Sequence, residues 1–129
     1  MAAVSFARRW ADGYRISWEA GDAAAAAALY RDDCVFRSAP FRDPEPPIDY
    51  TTRVYPEARA EDVRFGEPVE AGDRAAVEWW ATLVLPDGEE QAIAGCSVLR
   101  FDEQGLVIES RDYWHMETGR REPHATWGR

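Results

Sequence analysis

Lysine is absent from the 129-residue sequence, and cysteine and histidine occur only twice each. Without lysine, the protein has neither a Schiff-base nucleophile nor the phosphate-binding lysine of a Walker motif. Cys34 and Cys96 each lie among apolar residues, so we expect two buried free thiols rather than a disulfide. His115 and His124 have no cysteine or carboxylate pair at a metal-ligand spacing, so we expect no metal. We also expect no organic cofactor.

Positive charge and long apolar runs are also scarce. The formal net charge of -9 disfavours phosphate backbones and anionic lipid, so neither nucleic acid nor a membrane is an expected partner. No apolar run approaches the roughly 20 residues that span a bilayer, and "MAAVSFARRW" lacks the apolar stretch of a signal peptide, so we expect a cytoplasmic protein. Apolar side chains are abundant, at 46% with six tryptophans, and predict one folded domain over 1–129 with a polar tail at 119–129.

The first half of the chain has the patterns of helices. Between Val4 and Glu19, large apolar residues recur every three to four positions, which predicts an amphipathic helix. Asp22 precedes an alanine run and is a residue type that caps helices, so a second helix follows. The segment "CVFRSAPF" predicts a short strand that stops at Pro40, and "PIDYTTRVYPEA" predicts a short third helix that starts at a proline.

The second half has the pattern of a sheet. Four runs of strand character, at 62–73, 74–88, 89–105 and 106–118, are separated by Gly-Asp, Pro-Asp-Gly and Gln-Gly turns and predict strands in hairpins. Helices first and strands afterwards predict an α+β domain, with about three helices packed on one face of a curved, mostly antiparallel sheet.

In the run "AAVEWWATLVL" both alternating sets of side chains are largely apolar. A strand with one face in water would show one polar set. A second cover is therefore needed, and we expect a homodimer formed through the outer face of the sheet.

Two sequence blocks, "WEAGDAAAAAALYRDDCVF" and "SVLRFDEQGLVIESRDYW", together with this order of elements, resemble the nuclear transport factor 2-like superfamily. Its members include ketosteroid isomerases, limonene-epoxide hydrolases and SnoaL-like polyketide cyclases; "EWWA", "RDYW" and "GRREP" also resemble a subgroup of small bacterial proteins. The resemblance covers nearly the whole chain. It implies a cone-shaped pocket between helices and sheet, but not by itself a reaction.

Ketosteroid isomerases use a tyrosine on the first helix, an aspartate base at the end of the first strand and a protonated aspartate on a later strand. By the resemblance, Tyr14 matches the tyrosine, but the base position is Ser38 and the later aspartate position is Ser97. Without a carboxylate at Ser38, the resemblance does not support steroid isomerisation.

Limonene-epoxide hydrolases use an arginine and an aspartate on a central strand, an aspartate on a late strand, and a tyrosine and an asparagine on the first strand. The central pair falls on Glu78 and Trp80, and the first-strand pair falls on Phe36 and Ser38. Only Asp112, in "RDYW", matches. The missing arginine argues against epoxide opening.

The same alignments put one set of side chains on the pocket face of the sheet: Phe36, Ser38, Glu78, Trp80, Thr82, Ser97, Ser110, Asp112 and Trp114. Strand alternation sends Arg111, Tyr113 and His115 to the other face. We therefore expect a ligand pocket lined by Trp18, Phe36, Ser38, Trp80, Ser97 and Trp114.

Asp112 is the expected acid/base residue of this pocket. Walls of tryptophan would remove water from its carboxylate and raise its pKa, and a nearby Glu78 would raise the pKa further by sharing a proton. Tyr14 would donate a hydrogen bond to a carbonyl or developing oxyanion. Against these roles, Asp112 could cap a backbone or pair with a helix arginine, a bulge could turn Glu78 outward, and Tyr14 could be a core residue.

The sequence thus predicts a small protein with a pocket for a hydrophobic or aromatic metabolite. It would act as a cofactor-free isomerase, cyclase or hydrolase through acid/base catalysis by Asp112, Glu78 and Tyr14. The alternative is a non-catalytic ligand-binding or dimerising module of the same fold, favoured by the family residues missing at Ser38, Ser97 and Trp80.

Overall fold

The computed structural model of the protein describes residues 4–129. The helices are α1 (Phe6–Ala20), α2 (Ala23–Ala27) and α3 (Pro47–Val54), and a 3-10 turn over Tyr55–Glu57 follows α3. The strands are β1 (Tyr30–Arg37), β2 (Arg59–Phe65), β3 (Val69–Ala71), β4 (Arg74–Val84), β5 (Glu90–Phe101) and β6 (Val107–Thr118). The predicted α+β class is confirmed. None of the helices within residues 4–129 combines the length and the apolarity needed to cross a bilayer.

The helices begin and end where side chains and backbone groups cap them. At the N-terminus of α1, the Ser5 side chain accepts a hydrogen bond from the Arg8 backbone N–H at 3.1 Å. At its C-terminus, the Gly21 backbone N–H donates to the Ser17 and Trp18 carbonyl oxygens. Asp22 caps α2 through the Ala25 N–H at 3.0 Å, as predicted. The alanine run forms only five helical residues, because the chain must turn into β1 at Tyr30.

A single sheet with strand order β1-β6-β5-β4-β2 carries the fold, and β3 pairs with the end of β4. The β1–β6 pair is parallel, and the other neighbours are antiparallel. The register aligns Val77 with Ser97 and Ser97 with Asp112, so one row of side chains crosses β4, β5 and β6. The neighbouring row contains Trp79, Gly95 and Trp114.

The prediction of one continuous strand over 62–73 is wrong, because this segment forms two strands, β2 and β3. Pro68 lies in the break and has no N–H to pair. Gly66 lies so close to the C-terminal tail that an added Cβ would be 2.7 Å from the Gly128 Cα. The second half therefore has five strands rather than four, and its first segment bends around the tail.

The core lies between α1 and the concave face of the sheet in two adjoining clusters of buried side chains. One is formed around Trp10, Phe36, Val77 and Leu99, and the other around Val63, Trp79 and Ile93. Cys34 is buried and Cys96 is partly buried, and neither forms a disulfide. The expected free thiols are present, but Cys96 is less enclosed than expected.

The C-terminal tail covers part of the outer sheet face. Trp80 donates a hydrogen bond from Nε1 to the Arg121 carbonyl at 2.8 Å, and its ring contacts that of Trp127 edge-on, with 5.9 Å between centroids. Arg64 pairs with Glu122 at 2.8 Å. The tail therefore supplies, from within the same chain, some of the second cover that the apolar pattern of β4 requires.

Candidate active-site cavity

A cavity of about 420 Å³ opens between the helices and the concave face of the sheet. Its walls are mainly aromatic and aliphatic, and its polar groups are few. The aromatic side chains that line it are Trp10, Tyr14, Trp18, Tyr30, Tyr50, Tyr55, Phe65, Trp79 and Trp114. The charged and polar side chains are Arg42, Arg53, Glu57, Gln91, Ser97 and Asp112.

Asp112 is held in the cavity by a two-step hydrogen-bond chain. The Trp79 Nε1–H donates to Ser97 Oγ at 2.9 Å, and the Ser97 hydroxyl donates to Asp112 Oδ1 at 2.6 Å. Trp79 and Ser97 are both buried, so packing holds these two hydrogen-bonding side chains in place. Within residues 4–129, the Oδ2 atom of Asp112 has no hydrogen-bond or ion-pair partner and remains available to a ligand.

Burial raises the pKa of Asp112 from 3.8 to about 7, and the hydrogen bond from Ser97 opposes that rise. Near neutral pH the carboxyl is therefore present in both protonation states. A group in this condition can remove or return a proton with little cost in either direction.

Four tyrosines line the cavity: Tyr14, Tyr30, Tyr50 and Tyr55. Burial raises the pKa of Tyr14 and of Tyr30 well above 10 and that of Tyr50 to about 12, so their hydroxyls stay protonated and act as donors at neutral pH. A carboxylate at Asp112 raises each of these pKa values further. The Tyr55 hydroxyl is buried without a well-formed hydrogen bond within residues 4–129, although its proximity to Tyr14 partly offsets the rise in its pKa.

Charged side chains lie at the open side of the cavity. Arg53 is neutralised by Glu45, with its two terminal nitrogens at 2.7 and 2.9 Å from the two carboxylate oxygens. Arg42 lies over the Trp114 ring, with 5.5 Å from Cζ to the centroid, and donates to Ser38 Oγ at 3.1 Å. Glu57 is the acidic side chain of this rim.

The structure brings together five of the residues expected at the site. Tyr14, Trp18, Ser97, Asp112 and Trp114 all line the cavity. Asp112 neither caps a backbone group nor pairs with an arginine among the described residues, and Arg111 instead pairs with Glu109. Their proposed roles in binding and catalysis stay predictions.

The placement of Glu78 and Trp80 in the pocket is wrong. Val77 and Trp79 share the face of Ser97 and Asp112, so alternation puts Glu78 and Trp80 on the outer face. Glu78 is exposed. It therefore does not share a proton with Asp112 inside the cavity, and Trp79 takes the place expected for Trp80.

Phe36 and Ser38 are buried behind the cavity wall instead of lining it. Phe36 packs against Tyr50, with 5.0 Å between ring centroids. The Ser38 carbonyl accepts a hydrogen bond from Trp114 Nε1 at 2.6 Å, and its hydroxyl holds Arg42. Ser38 thus orients two residues that do line the cavity.

Several cavity residues were missed by the sequence reasoning. Trp79 is adjacent in the sequence to Trp80, which is the residue predicted to line the pocket. Tyr30 and Tyr50 also line the cavity but are not among the pocket residues that the sequence predicts. Arg42 is the first residue of the proline-rich turn "RDPEPP", whose path has no periodic signal.

Metal ligation has no candidate in residues 4–129, where no three histidine, cysteine, aspartate or glutamate side chains lie close enough to hold an ion.

Comparisons with known proteins agree with this architecture. The chain matches RV0760c from Mycobacterium tuberculosis with a TM-score of 0.75 and 18% identity, covering 92% of this chain and 100% of that one. It matches SalBIII, an epoxide hydrolase/cyclase-like enzyme of pyran ring formation in salinomycin, with a TM-score of 0.74 and 14% identity over 87% and 95%. A ketosteroid isomerase from Mycobacterium sp. matches with a TM-score of 0.71 and 18% identity over 90% and 100%. No curated protein matches significantly.

The three helices on this sheet therefore form the nuclear transport factor 2-like fold. A family model described as a SnoaL-like domain matches residues 7–110. The chain belongs to the SnoaL-like domain family, and the predicted superfamily is confirmed.

Proposed function

We propose that the protein binds a small hydrophobic or aromatic molecule in the cavity and moves a proton on it, without a cofactor, by acid/base catalysis at Asp112. One observation carries the proposal: Asp112 has one oxygen fixed by Ser97 and the other open to an aromatic cavity, and its pKa is about 7. A buried carboxyl with a raised pKa and an oxygen that no protein group binds among the described residues is the arrangement typical of an acid/base residue in a cleft.

Isomerisation or cyclisation fits this site better than hydrolysis. One carboxyl can take a proton from one atom of a ligand and return it to another, so no second acid is required. The Tyr14 hydroxyl stays protonated at neutral pH and lines the cavity, so it can donate to a carbonyl oxygen as charge develops on it, and the neighbouring Tyr55 hydroxyl has no well-formed hydrogen bond among the described residues. Hydrolysis would need residues that activate and position a water. By the resemblance, the central arginine and aspartate fall on Glu78 and Trp80, which lie on the outer face, and the residues that position water fall on Phe36 and Ser38, which lie behind the cavity wall.

Structures with this fold support the size and chemistry of the ligand. RV0760c is also known in complex with estradiol-17beta-hemisuccinate, and a computationally designed 17-OHP binder matches this chain with a TM-score of 0.70 at 18% identity. Both support the proposal of a small hydrophobic ligand for this cavity. The aromatic walls of the present cavity suit the same class.

The test begins with a metabolite library screened by thermal shift, together with native mass spectrometry of ligand that copurifies with the protein. Turnover of each hit is then compared between the wild type, Asp112→Asn and the control Asp32→Asn, which changes an exposed carboxyl outside the cavity. We expect Asp112→Asn to bind the ligand but to lose turnover by roughly 100-fold or more, while the control retains it. Equal turnover by Asp112→Asn refutes the proposal.

A non-catalytic binding module is the second candidate, because Asp112 is the only carboxyl at the cavity floor among the described residues and the other lining carboxyl, Glu57, lies at the rim. Hits that bind wild type at the cavity without any chemical change would favour this alternative. The predicted homodimer through the outer sheet face is a separate proposal. Tyr113, 45% exposed on that face, supports it, and the tail over Trp80 limits the area available.

A further inference from the structure

The Arg42 guanidinium is fixed at the rim of the cavity. Ser38 is buried and accepts one of its N–H groups at 3.1 Å, and the Trp114 ring lies against the guanidinium at 5.5 Å. Ser38 also accepts the Trp114 Nε1–H through its carbonyl at 2.6 Å. One buried residue therefore orients both the cation and the aromatic ring beside it, so the guanidinium is held in place before any ligand arrives.

Arg42 has no carboxylate within ion-pair distance among residues 4–129. Arg53 differs from Arg42: it also lines the cavity, but two of its nitrogens donate hydrogen bonds to the Glu45 carboxylate. Glu45 is near enough to Arg42 for the cation to lower its pKa, yet its oxygens are taken by Arg53. Among the residues that the structure describes, no acceptor binds the remaining N–H groups of the Arg42 guanidinium, in a chain whose net charge is -9.

The positive charge of Arg42 acts on the cavity. It lowers the pKa of Tyr50, which lines the wall, in opposition to burial and to the carboxylate of Asp112. Negative potential at the floor comes from Asp112, and Glu57 at the rim is a competing negative charge. Glu57 has no hydrogen bond that orients its side chain among the described residues, whereas Arg42 is held on two sides.

We propose that Arg42 is the anion-binding residue of the cavity and that the ligand is an amphipathic acid. Its carboxylate binds Arg42 at the rim, and its hydrophobic or aromatic body fills the space between the tryptophans and tyrosines. The inference rests on the proposed function, since it concerns the same cavity. It also fixes the orientation of the ligand: Asp112 repels a second anion at the floor, so the uncharged end of the ligand meets the acid/base group.

Two fluorescent probes with one skeleton test the proposal. The first is 8-anilinonaphthalene-1-sulfonate, and the second is N-phenyl-1-naphthylamine, which lacks only the sulfonate. Titration of the wild type gives the two Kd values, and displacement of one probe by the other shows that both occupy one site. We expect the wild type to bind the sulfonate about tenfold more tightly, as one oriented charge-assisted contact at an accessible site provides.

Substitutions of Arg42 distinguish an effect of its charge on sulfonate binding from a general effect on the cavity. Arg42→Gln is expected to weaken sulfonate binding about tenfold and to change binding of the neutral probe by less than about twofold. Arg42→Lys keeps the charge without the planar group and should recover part of the loss. Arg74→Gln is the control, because Arg74 is an exposed arginine outside the cavity with no ion pair among the described residues.

The outcomes distinguish the two proposals. The anion site is refuted if Arg42→Gln weakens binding of both probes equally or of neither probe. It is also refuted if the wild type does not bind the sulfonate more tightly than the neutral probe. None of these results contradicts the proposed function. A wild type that binds neither probe overturns both.

Discussion

Asparagine in place of Asp112 should make the protein more stable in alkaline solution, because the native fold binds this carboxyl more favourably in its protonated form. The folded pKa is about 7 and the ordinary value is 3.8. Between those values the folded protein holds a proton that the unfolded chain has released. The free energy of unfolding therefore falls as pH rises through this window and stays lower above pH 7.

The size of the effect follows from the shift. Each pKa unit corresponds to about 1.4 kcal/mol, so a shift of roughly three units destabilises the ionised wild type by about 4 kcal/mol at pH 8 to 9. This value is an upper figure, since water in the cavity solvates the carboxylate. Asparagine is close in shape to aspartate and keeps an oxygen that accepts from Ser97, so it removes the charge without removing the hydrogen bond.

Urea denaturation at half-unit steps from pH 4 to pH 9 measures this difference. We expect Asp112→Asn and wild type to be nearly equal at pH 4, with the variant gaining stability from about pH 5 and levelling off above about pH 8. Asp32→Asn, at an exposed carboxyl outside the cavity, controls for the change in net charge. A stability difference that does not vary with pH would refute the reasoning.

Three further changes test neighbouring parts of the account. Ser97→Ala removes the donor that lowers the pKa of Asp112, so the carboxyl should titrate above pH 7 in a carbon-13 NMR titration; an unchanged or lower pKa contradicts the assigned hydrogen bond. Gly95→Ala places a Cβ 2.4 Å from the Tyr113 carbonyl oxygen and 2.8 Å from the Trp79 ring, which should cost roughly 1–3 kcal/mol of stability, seen as a lower Tm. Trp127→Ala exposes the Trp80 ring and should shift the tryptophan emission to longer wavelength; sedimentation at several concentrations then shows whether the outer face also binds a second copy.

Much of the fold could be predicted from local chemistry. The spacing of apolar residues in α1, the cap at Asp22 and the turns between strands each act over a few neighbouring residues, so the sequence shows them directly. The position of Asp112 inside the cavity is instead what the resemblance of "RDYW" to the late strand of the limonene-epoxide hydrolases implies, and the structure places Asp112 there. Its raised pKa follows from that position and the surrounding aromatic rings.

The phase of β4 could not be obtained in the same way. Both of its faces are apolar, so the pattern itself does not say which side meets the helices, and an alignment offset by one residue reverses every side chain. The register with β5 decides it, by pairing Val77 with Ser97. The misplaced Glu78 and Trp80 both follow from that single offset.

Arg42 and Ser38 could not be assigned for a different reason. Their geometry depends on the path of the turn between β1 and α3, where the Glu45 N–H bonds the Phe36 carbonyl and the chain folds back. An irregular segment that folds back through contacts of this kind shows no periodic pattern in the sequence from which its path could be predicted. Ser38 stands where the ketosteroid isomerases have an aspartate base, which by itself indicates only that the base is missing. In the structure the Ser38 hydroxyl binds Arg42 at the rim of the cavity.

The most direct test of the central claim is a carbon-13 NMR titration of the aspartate side-chain carboxyls, with the Asp112 resonance assigned by its loss in Asp112→Asn. The account predicts that this resonance titrates at about pH 7, well above the ordinary value of 3.8. A midpoint below about 5 would contradict the account, because Asp112 would then be an ordinary ionised carboxylate at neutral pH with no proton to give.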